Sequence, residues 1–288
     1  MKSDMFKSIV ISVCCIILFL TGCKKLKPEE NAGVYYKDKV VILMYHHIDD
    51  EESGVTVSEK RFYEHMDMLE ENNYKVISLY DLDEFLKGEK QLPANAVMLT
   101  FDDGYRSVYE YAFPILKEKM MPATVFMIVK HIGAEEGQIP KITREQMEEM
   151  LEHNISFQSH SYNSHFYHVI DDKGNTDAAL ASKKYIEIEE RVESQKEYEG
   201  RVFNDLLESI TVLEGITKNE TVIFAAPYGR INESIKKISN DIGFKYILST
   251  VPGYVSRKSD PMFLNRINAG TRELSAQDLH NLIQGYIK

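Results

Sequence analysis

Cysteine is almost missing from this chain: its three copies, Cys14, Cys15 and Cys23, all fall within the first 23 residues. Beyond Cys23 no disulfide and no cysteine-ligated metal site can form, so any metal centre there must use histidine and carboxylate. Long apolar runs are scarce too. The one at residues 9–20 follows a basic start, Lys2 and Lys7, and ends in Leu20-Thr21-Gly22-Cys23. It is short for a bilayer span and suits an export signal cleaved ahead of Cys23, with an uncleaved anchor helix as the alternative. Either reading puts the remainder outside the cytoplasm. Positive charge is also in deficit, 34 Lys and Arg against 45 Asp and Glu, for a net charge of -11. An acidic body suits neither nucleic acid nor an anionic membrane surface. It would suit a neutral sugar polymer, although acidity serves solubility equally well.

Leu20-Thr21-Gly22-Cys23 resembles the bacterial lipobox, which implies diacylation of Cys23 and a lipid anchor on the outer face of the cell membrane. The expected organisation is a signal peptide at 1–22, a lipidated tether at 23–37 containing Pro28 and Gly33, and one large domain at 38–288. The sequence has no internal repeat and no low-complexity tract.

Within the large domain, short apolar runs alternate with amphipathic stretches, as in repeated strand-helix units. Strands are expected at Val40–Tyr45, 76–79, 97–101, 123–129, Ile155–Ser159, 221–226, 246–250 and 263–267. Helical spacing marks 59–73, 105–119, 143–153, Glu233–Ile242 and 275–287, and Thr143 with Gln146 and Ser275 with Asp278 read as capping boxes. The charged stretch 171–215 reads as one or two long surface helices with a solvated face. His46, the pair Asp102 and Asp103, His160, and Pro227 with Tyr228 each stand just past an expected strand. In a barrel of parallel strand-helix units such positions share one mouth.

Asp102 and Asp103 precede Gly104, which can turn the chain sharply. Side chains of neighbours at a strand end diverge, so one carboxylate can bind a cation while the other faces a substrate. Taken alone, Asp-Asp-Gly is more simply an Asx turn. His160 and His165 have four residues between them, and Ser161, Asn163 and Ser164 favour a turn through which both imidazoles could reach one ion. Two histidines and a carboxylate leave a position for water, as catalytic metal sites do. Zinc is the plainest candidate, with iron, cobalt or nickel also compatible. A polar loop with exposed histidines is the plain alternative.

Three segments, Thr100-Phe-Asp-Asp-Gly-Tyr105, His160-Ser-Tyr-Asn-Ser-His165 and Phe224-Ala-Ala-Pro-Tyr-Gly229, resemble the successive motifs of the polysaccharide deacetylases, the NodB-homology or carbohydrate esterase family 4 group. The resemblance implies a distorted (β/α) barrel with its active site at the C-terminal ends of the strands. It implies Asp103, His160 and His165 as metal ligands and Asp102 as the base that takes a proton from the attacking water. The Tyr228 N–H would stabilise the oxyanion, with Pro227 and Tyr228 walling the acetyl pocket. Leu43-Met-Tyr-His-His-Ile48 and the longer histidine spacing resemble the poly-N-acetylglucosamine (intercellular adhesin) deacetylase branch, where the equivalent of His46 protonates the leaving nitrogen. Two departures stand out: Ala225 occupies the place of an arginine that orients the catalytic aspartate in many members, and Leu264-Asn-Arg266 stands where a leucine-x-histidine motif is usual.

The expected activity is metal-dependent removal of acetyl groups from N-acetylglucosamine-containing polysaccharide. Peptidoglycan, chitin-like oligomers and acetylated xylan remain open as substrates. A sugar-capturing lipoprotein without chemistry leaves the strand-end Asp and His positions unexplained, and a glycosidase carboxylate pair would stand ~5 Å or more apart across its bond. Replacing Cys23 with Ala is expected to release the protein from membranes with its activity per molecule intact; a Cys23→Ala protein still membrane-bound in high salt would sink the lipid anchor.

Overall fold

Apolar runs too short for helices, bounded by polar turns, form strands buried on both faces, the mark of a parallel sheet covered by helices. The computed structural model describes residues 33–135 and 139–287; the expected signal segment and the proposed lipidation site Cys23 lie outside the described residues. Eight strands make one sheet: β1 (Val40–Tyr45), β2 (Lys75–Val76), β3 (Ala96–Phe101), β4 (Ala123–Met127), β5 (Ile155–Ser159), β6 (Ile223–Ala225), β7 (Tyr246–Leu248) and β8 (Ile267–Asn268). Their order is β7-β6-β5-β4-β3-β1-β8, and every pairing is parallel. β2 lies beside the start of β3, with Lys75 opposite Ala96, and β4 beside its end, with Thr124 opposite Thr100. Leu264 bridges Leu248 at one edge while Ile267 pairs with Leu43 at the other. The segment from Leu264 to Asn268 therefore links both edges of a curled, barrel-like sheet.

Strand alternation sorts side chains into two apolar layers. Val41, Leu43, Tyr45, Val97, Leu99 and Phe101 pack outward under helices α1 (Glu59–Glu71) and α7 (Ala276–Ile287). Val40, Ile42, Ala96, Met98, Phe126, Ile223, Ala225, Leu248 and Leu264 fill the barrel interior. Continuing the same alternation past the strand ends turns His46 and Asp102 inward and His47 outward.

The remaining helices are α2 (Leu79–Lys87), α3 (Phe113–Glu118), α4 (Arg144–Leu151), α5 (Gln195–Thr217) and α6 (Glu233–Ile242). Both expected capping boxes form: Thr143 Oγ1 accepts from the Gln146 N–H, and Ser275 Oγ from that of Asp278. Four expectations need correction. The strand expected at 263–267 forms only at Ile267–Asn268, with Leu264 making an isolated bridge to Leu248. The strand expected at 76–79 stops at Val76, because Ser78 and Asp81 form a capping box that starts α2 at Leu79. The helix expected at 105–119 opens with a π turn, Val108–Ala112. The stretch 171–215 is not helical throughout: in its first half Thr176–Ala178 pairs antiparallel with the preceding Tyr167–Val169, and Tyr185–Ile186 pairs with Arg191–Val192. Nor is α5 wholly solvated, since Tyr198, Val202, Leu206, Ser209 and Leu213 are buried along one face.

His65 of α1 is fully buried, its Nδ1 3.1 Å from the Tyr45 hydroxyl and its Nε2 3.1 Å from the Leu274 carbonyl. Burial pushes its pKa down to about 4. The folded protein thus resists protonating His65 while the unfolded chain does not, so the stability that His65 contributes is complete above about pH 6.5 and is lost as the pH drops towards 4. Urea midpoints at pH 7 and pH 4.5 should show this loss, and His65→Gln should reduce it; an equal loss in both proteins would show that His65 is not its source.

Candidate metal and catalytic site

Four strand ends and one loop build the site. Asp102 and Asp103 follow β3, and the turn they begin needs unusual backbone: Asp103 has φ 70° and Gly104 φ 65°. The positive φ of Gly104 favours glycine, and a Cβ there would also lie 2.7 Å from the end of the Met127 side chain, which would have to shift. The left-handed turn sends the Asp103 side chain away from that of Asp102. Lys141, itself buried, donates from Nζ to the Asp103 carbonyl at 3.0 Å and lies 3.5 Å over the Tyr105 ring.

Asp103 Oδ1 stands 3.4 Å from His160 Nε2 and 3.4 Å from His165 Nε2, buried and without a hydrogen bond. Metal bonds of about 2.0–2.1 Å at tetrahedral angles would place ligand atoms roughly 3.3 Å apart, so the spacing fits. The tautomer fits as well. His160 Nδ1 donates to the Ala225 carbonyl at 2.7 Å, so Nε2 is the nitrogen facing Asp103; burial opposes its charge, but Asp102 and Asp103 raise its pKa, and a cation bound there would displace the Nε2 proton. Burial alone would raise the pKa of Asp103, but the two imidazoles outweigh it and hold the carboxyl well below its usual range. Burial and the neighbouring His160 push the His165 imidazole down to about 4, keeping it neutral and able to ligate. The orphaned carboxylate oxygen and the two imidazole nitrogens make a set that fits a divalent cation.

Asp102 is held differently. Arg266, fully buried, grips it with both guanidinium nitrogens, Nη1 to Oδ1 at 2.7 Å and Nη2 to Oδ2 at 2.8 Å. The guanidinium is braced by the Ser249 carbonyl, which accepts from Nε at 2.9 Å. Burial of Asp102 favours the acid form, yet Arg266 and His160 overcome this and keep it ionised. On its other side His46 Nε2 lies 3.9 Å from Asp102 Oδ2, while His46 Nδ1 is buried without a partner. Burial holds this imidazole below its ordinary pKa. His47 points away, as alternation requires, with Nδ1 2.8 Å from the Ser107 hydroxyl.

Beyond β6, Pro227 is buried and Tyr228 adopts φ 57°. Gly229 must be glycine, since a Cβ there would overlap the Thr250 side chain. This turn lays the Tyr228 ring 4.4 Å from His165 and 4.6 Å from Tyr167, centroid to centroid. His46, Asp102, Asp103, His160, His165 and Tyr228 thus gather at one end of the sheet. His168 does not join them; its Nε2 lies 2.8 Å from the Ser182 hydroxyl. Arg266 escapes sequence reasoning, because nothing local pairs it with a carboxylate 164 positions earlier.

A sequence model of the family described as polysaccharide deacetylase matches residues 89–247, more than half of the chain. The chain belongs to the polysaccharide deacetylase family. It is thereby a hydrolase of the acetyl C–N bond of N-acetylated sugars. The protein YxkH of Bacillus subtilis (strain 168) is 30% identical over 245 residues, covering 84% of this chain and 76% of that one. The poly-beta-1,6-N-acetyl-D-glucosamine N-deacetylase of Escherichia coli (strain K12) is 27% identical over 264 residues, covering 83% of this chain and only 39% of that longer protein. A solved de-N-acetylase from Aggregatibacter actinomycetemcomitans shares the fold, with a TM-score of 0.78 at 24% identity over 85% of this chain and all of that one. In this deacetylase Ala225 stands where many members carry the arginine that orients the aspartate; Arg266, from beside the opposite edge of the sheet, grips Asp102 instead.

Arg266→Ala would leave Asp102 buried and uncompensated, at a cost of about 3–5 kcal/mol. Urea denaturation should show that loss in Arg266→Ala and a smaller one in Arg266→Lys; an unchanged midpoint would contradict the buried pair.

Proposed function

We propose that this deacetylase removes acetyl groups from poly-N-acetylglucosamine, uses Zn2+, and works from a lipid anchor outside the cytoplasm. The observation that carries the chemistry is the convergence of Asp103, His160 and His165 beside an Asp102 that Arg266 keeps ionised. The polymer is supported by the named substrate of the Escherichia coli relative, and the anchor by the sequence ahead of Cys23.

When bound, the ion supplies Lewis-acid polarisation of the acetyl carbonyl and acidifies water. Asp102, anionic and fixed in place, accepts the proton of the attacking water. The Tyr228 N–H, at the left-handed turn after Pro227, offers a hydrogen bond to the developing oxyanion. His46, neutral through burial, must gain a proton before giving one away, and Asp102 is the adjacent group that holds it. The proton then passes from water through Asp102 and His46 to the leaving nitrogen, giving acetate and a free amine. Pro227, Tyr228 and the half-exposed Tyr167 supply an apolar wall of the kind that suits the acetyl methyl and a sugar face.

Asp103→Ala, His160→Ala and His165→Ala should each lose bound metal, whereas Asp102→Asn should keep it and lose turnover by about 10²–10⁴-fold. Metal analysis giving the reverse would exchange the roles of the two aspartates. Side-by-side assays on defined poly-N-acetylglucosamine and peptidoglycan fragments test the polymer; acetate from peptidoglycan alone would overturn it.

His46→Ala should lose far more activity on an amide than on an activated acetate ester, whose leaving group needs no proton, with little effect from His47→Ala. Equal losses on both substrates would make His46 a structural or binding residue.

A further inference from the structure

The loop between the two histidines has four residues, and two of its backbone N–H groups and one of its hydroxyls are bound by one side chain from a distant helix. Asp205 of α5 accepts from the Tyr162 N–H through Oδ1 at 3.0 Å, and from the Asn163 N–H through Oδ2 at 2.9 Å. The Ser164 hydroxyl also donates to Oδ2, at 2.8 Å. Asp205 sits on the buried face of α5, between Val202 and Ser209. The other side of the loop is tied to the chain after β4, where the N–H groups of Val129 and Lys130 donate to the carbonyls of Ser161 and Tyr162. Ser161 has φ 71°, and its Oγ accepts from the Ser164 N–H at 3.1 Å.

The two ligands at the ends of this loop are supported unequally. His160 follows β5 directly and is fixed by the Ala225 carbonyl. His165 has no strand behind it, and its ring rests against His160 and Tyr228. Its position relative to Asp103 therefore depends on the shape of the turn 161–164, and Asp205 supplies three of the hydrogen bonds that define it. A ligand held in place before the ion arrives binds more tightly than one that must be ordered on binding.

We propose that Asp205 is a positioning residue that sets the metal affinity of the site by holding the Tyr162–Ser164 turn, so that His165 and His160 face the same ion. The proposal rests on the reading that Asp103, His160 and His165 hold that ion. The carboxylate form is needed: with one oxygen replaced by an NH2 group, Asn at this position would oppose donor to donor against Asn163 or Tyr162.

The test measures Zn2+ affinity of the full chain, stripped of metal, by competition with a chromogenic chelator, alongside thermal unfolding of the metal-free protein. Loss of a residue that supports a metal ligand commonly weakens affinity 10–100-fold. Asp205→Ala and Asp205→Asn should each weaken Zn2+ binding by about 10-fold or more, and Ser164→Ala, which removes one of the three bonds, by less. Tyr198→Phe is the control on the same helix: it removes the hydroxyl's bond to the Leu180 carbonyl, so it should lower the unfolding temperature while Zn2+ affinity stays at the wild-type value. If Asp205→Ala does not fold, Asp205→Asn and Ser164→Ala carry the measurement. Wild-type affinity in both Asp205→Asn and Ser164→Ala overturns the proposal, as does an equal loss of affinity in Tyr198→Phe, which would mark a general effect of helix stability. A wild-type chain that takes up no Zn2+ overturns the metal reading and this inference together, whereas a chain that binds Zn2+ with unaffected Asp205 variants overturns this inference alone.

Discussion

The ion pair between Arg266 and Asp102 is the contact on which the rest of the site depends. Both groups are withdrawn from water, and burying two charges is costly unless each is met by good geometry and further hydrogen bonds. Here the guanidinium faces the carboxylate with two nitrogens and donates from the third to the Ser249 carbonyl. Because Arg266 lies between the bridge at Leu264 and the pairing at Ile267, the contact that orients Asp102 also sits where the two edges of the sheet come together. Catalytic geometry and closure of the barrel are consequently one structural problem.

Around this pair, charges are arranged so that each ionisable group keeps the form its position requires. Asp102 and Asp103 are neighbours in sequence but do not share an environment: one faces a guanidinium and the other two imidazoles. The left-handed backbone at Asp103 makes the division possible, since it turns the second carboxylate out of the path of the first. Lys141 adds a hydrogen bond to the carbonyl of that same residue, so the turn is supported from below as well as by Gly104. Burial and the neighbouring His160 keep His165 neutral, and His160 is tied through Nδ1 to a carbonyl so that Nε2 faces Asp103.

The relatives differ from this chain in how much lies outside the shared domain. The Escherichia coli enzyme is matched over only 39% of its length, while the solved Aggregatibacter domain is matched throughout. The shared part is the curled sheet with its helices. Within this chain, paired ribbons and α5 follow β5, pack against the histidine loop and bring Tyr167 beside Tyr228.

The elements with the strongest local pattern were legible in the sequence. Val40–Tyr45, Ile155–Ser159 and Glu233–Ile242 form as expected, because continuous apolar runs and helical spacing record burial directly. That Asp102, Asp103, His160 and His165 come together was legible as well, since they stand in short motifs just past strand ends. Contacts between distant segments were not. Arg266 pairs with Asp102 across 164 positions, Asp205 reaches a loop more than 40 residues earlier, and the ribbons within 171–215 depend on pairing that composition does not record. Sequence by itself determined which residues could perform the chemistry and on which face of each strand they fall, because both follow from residue type and a period of two. Only the tertiary structure decided what holds them there, because a buried arginine has no local signature until the closing of the sheet brings its carboxylate within 2.7 Å.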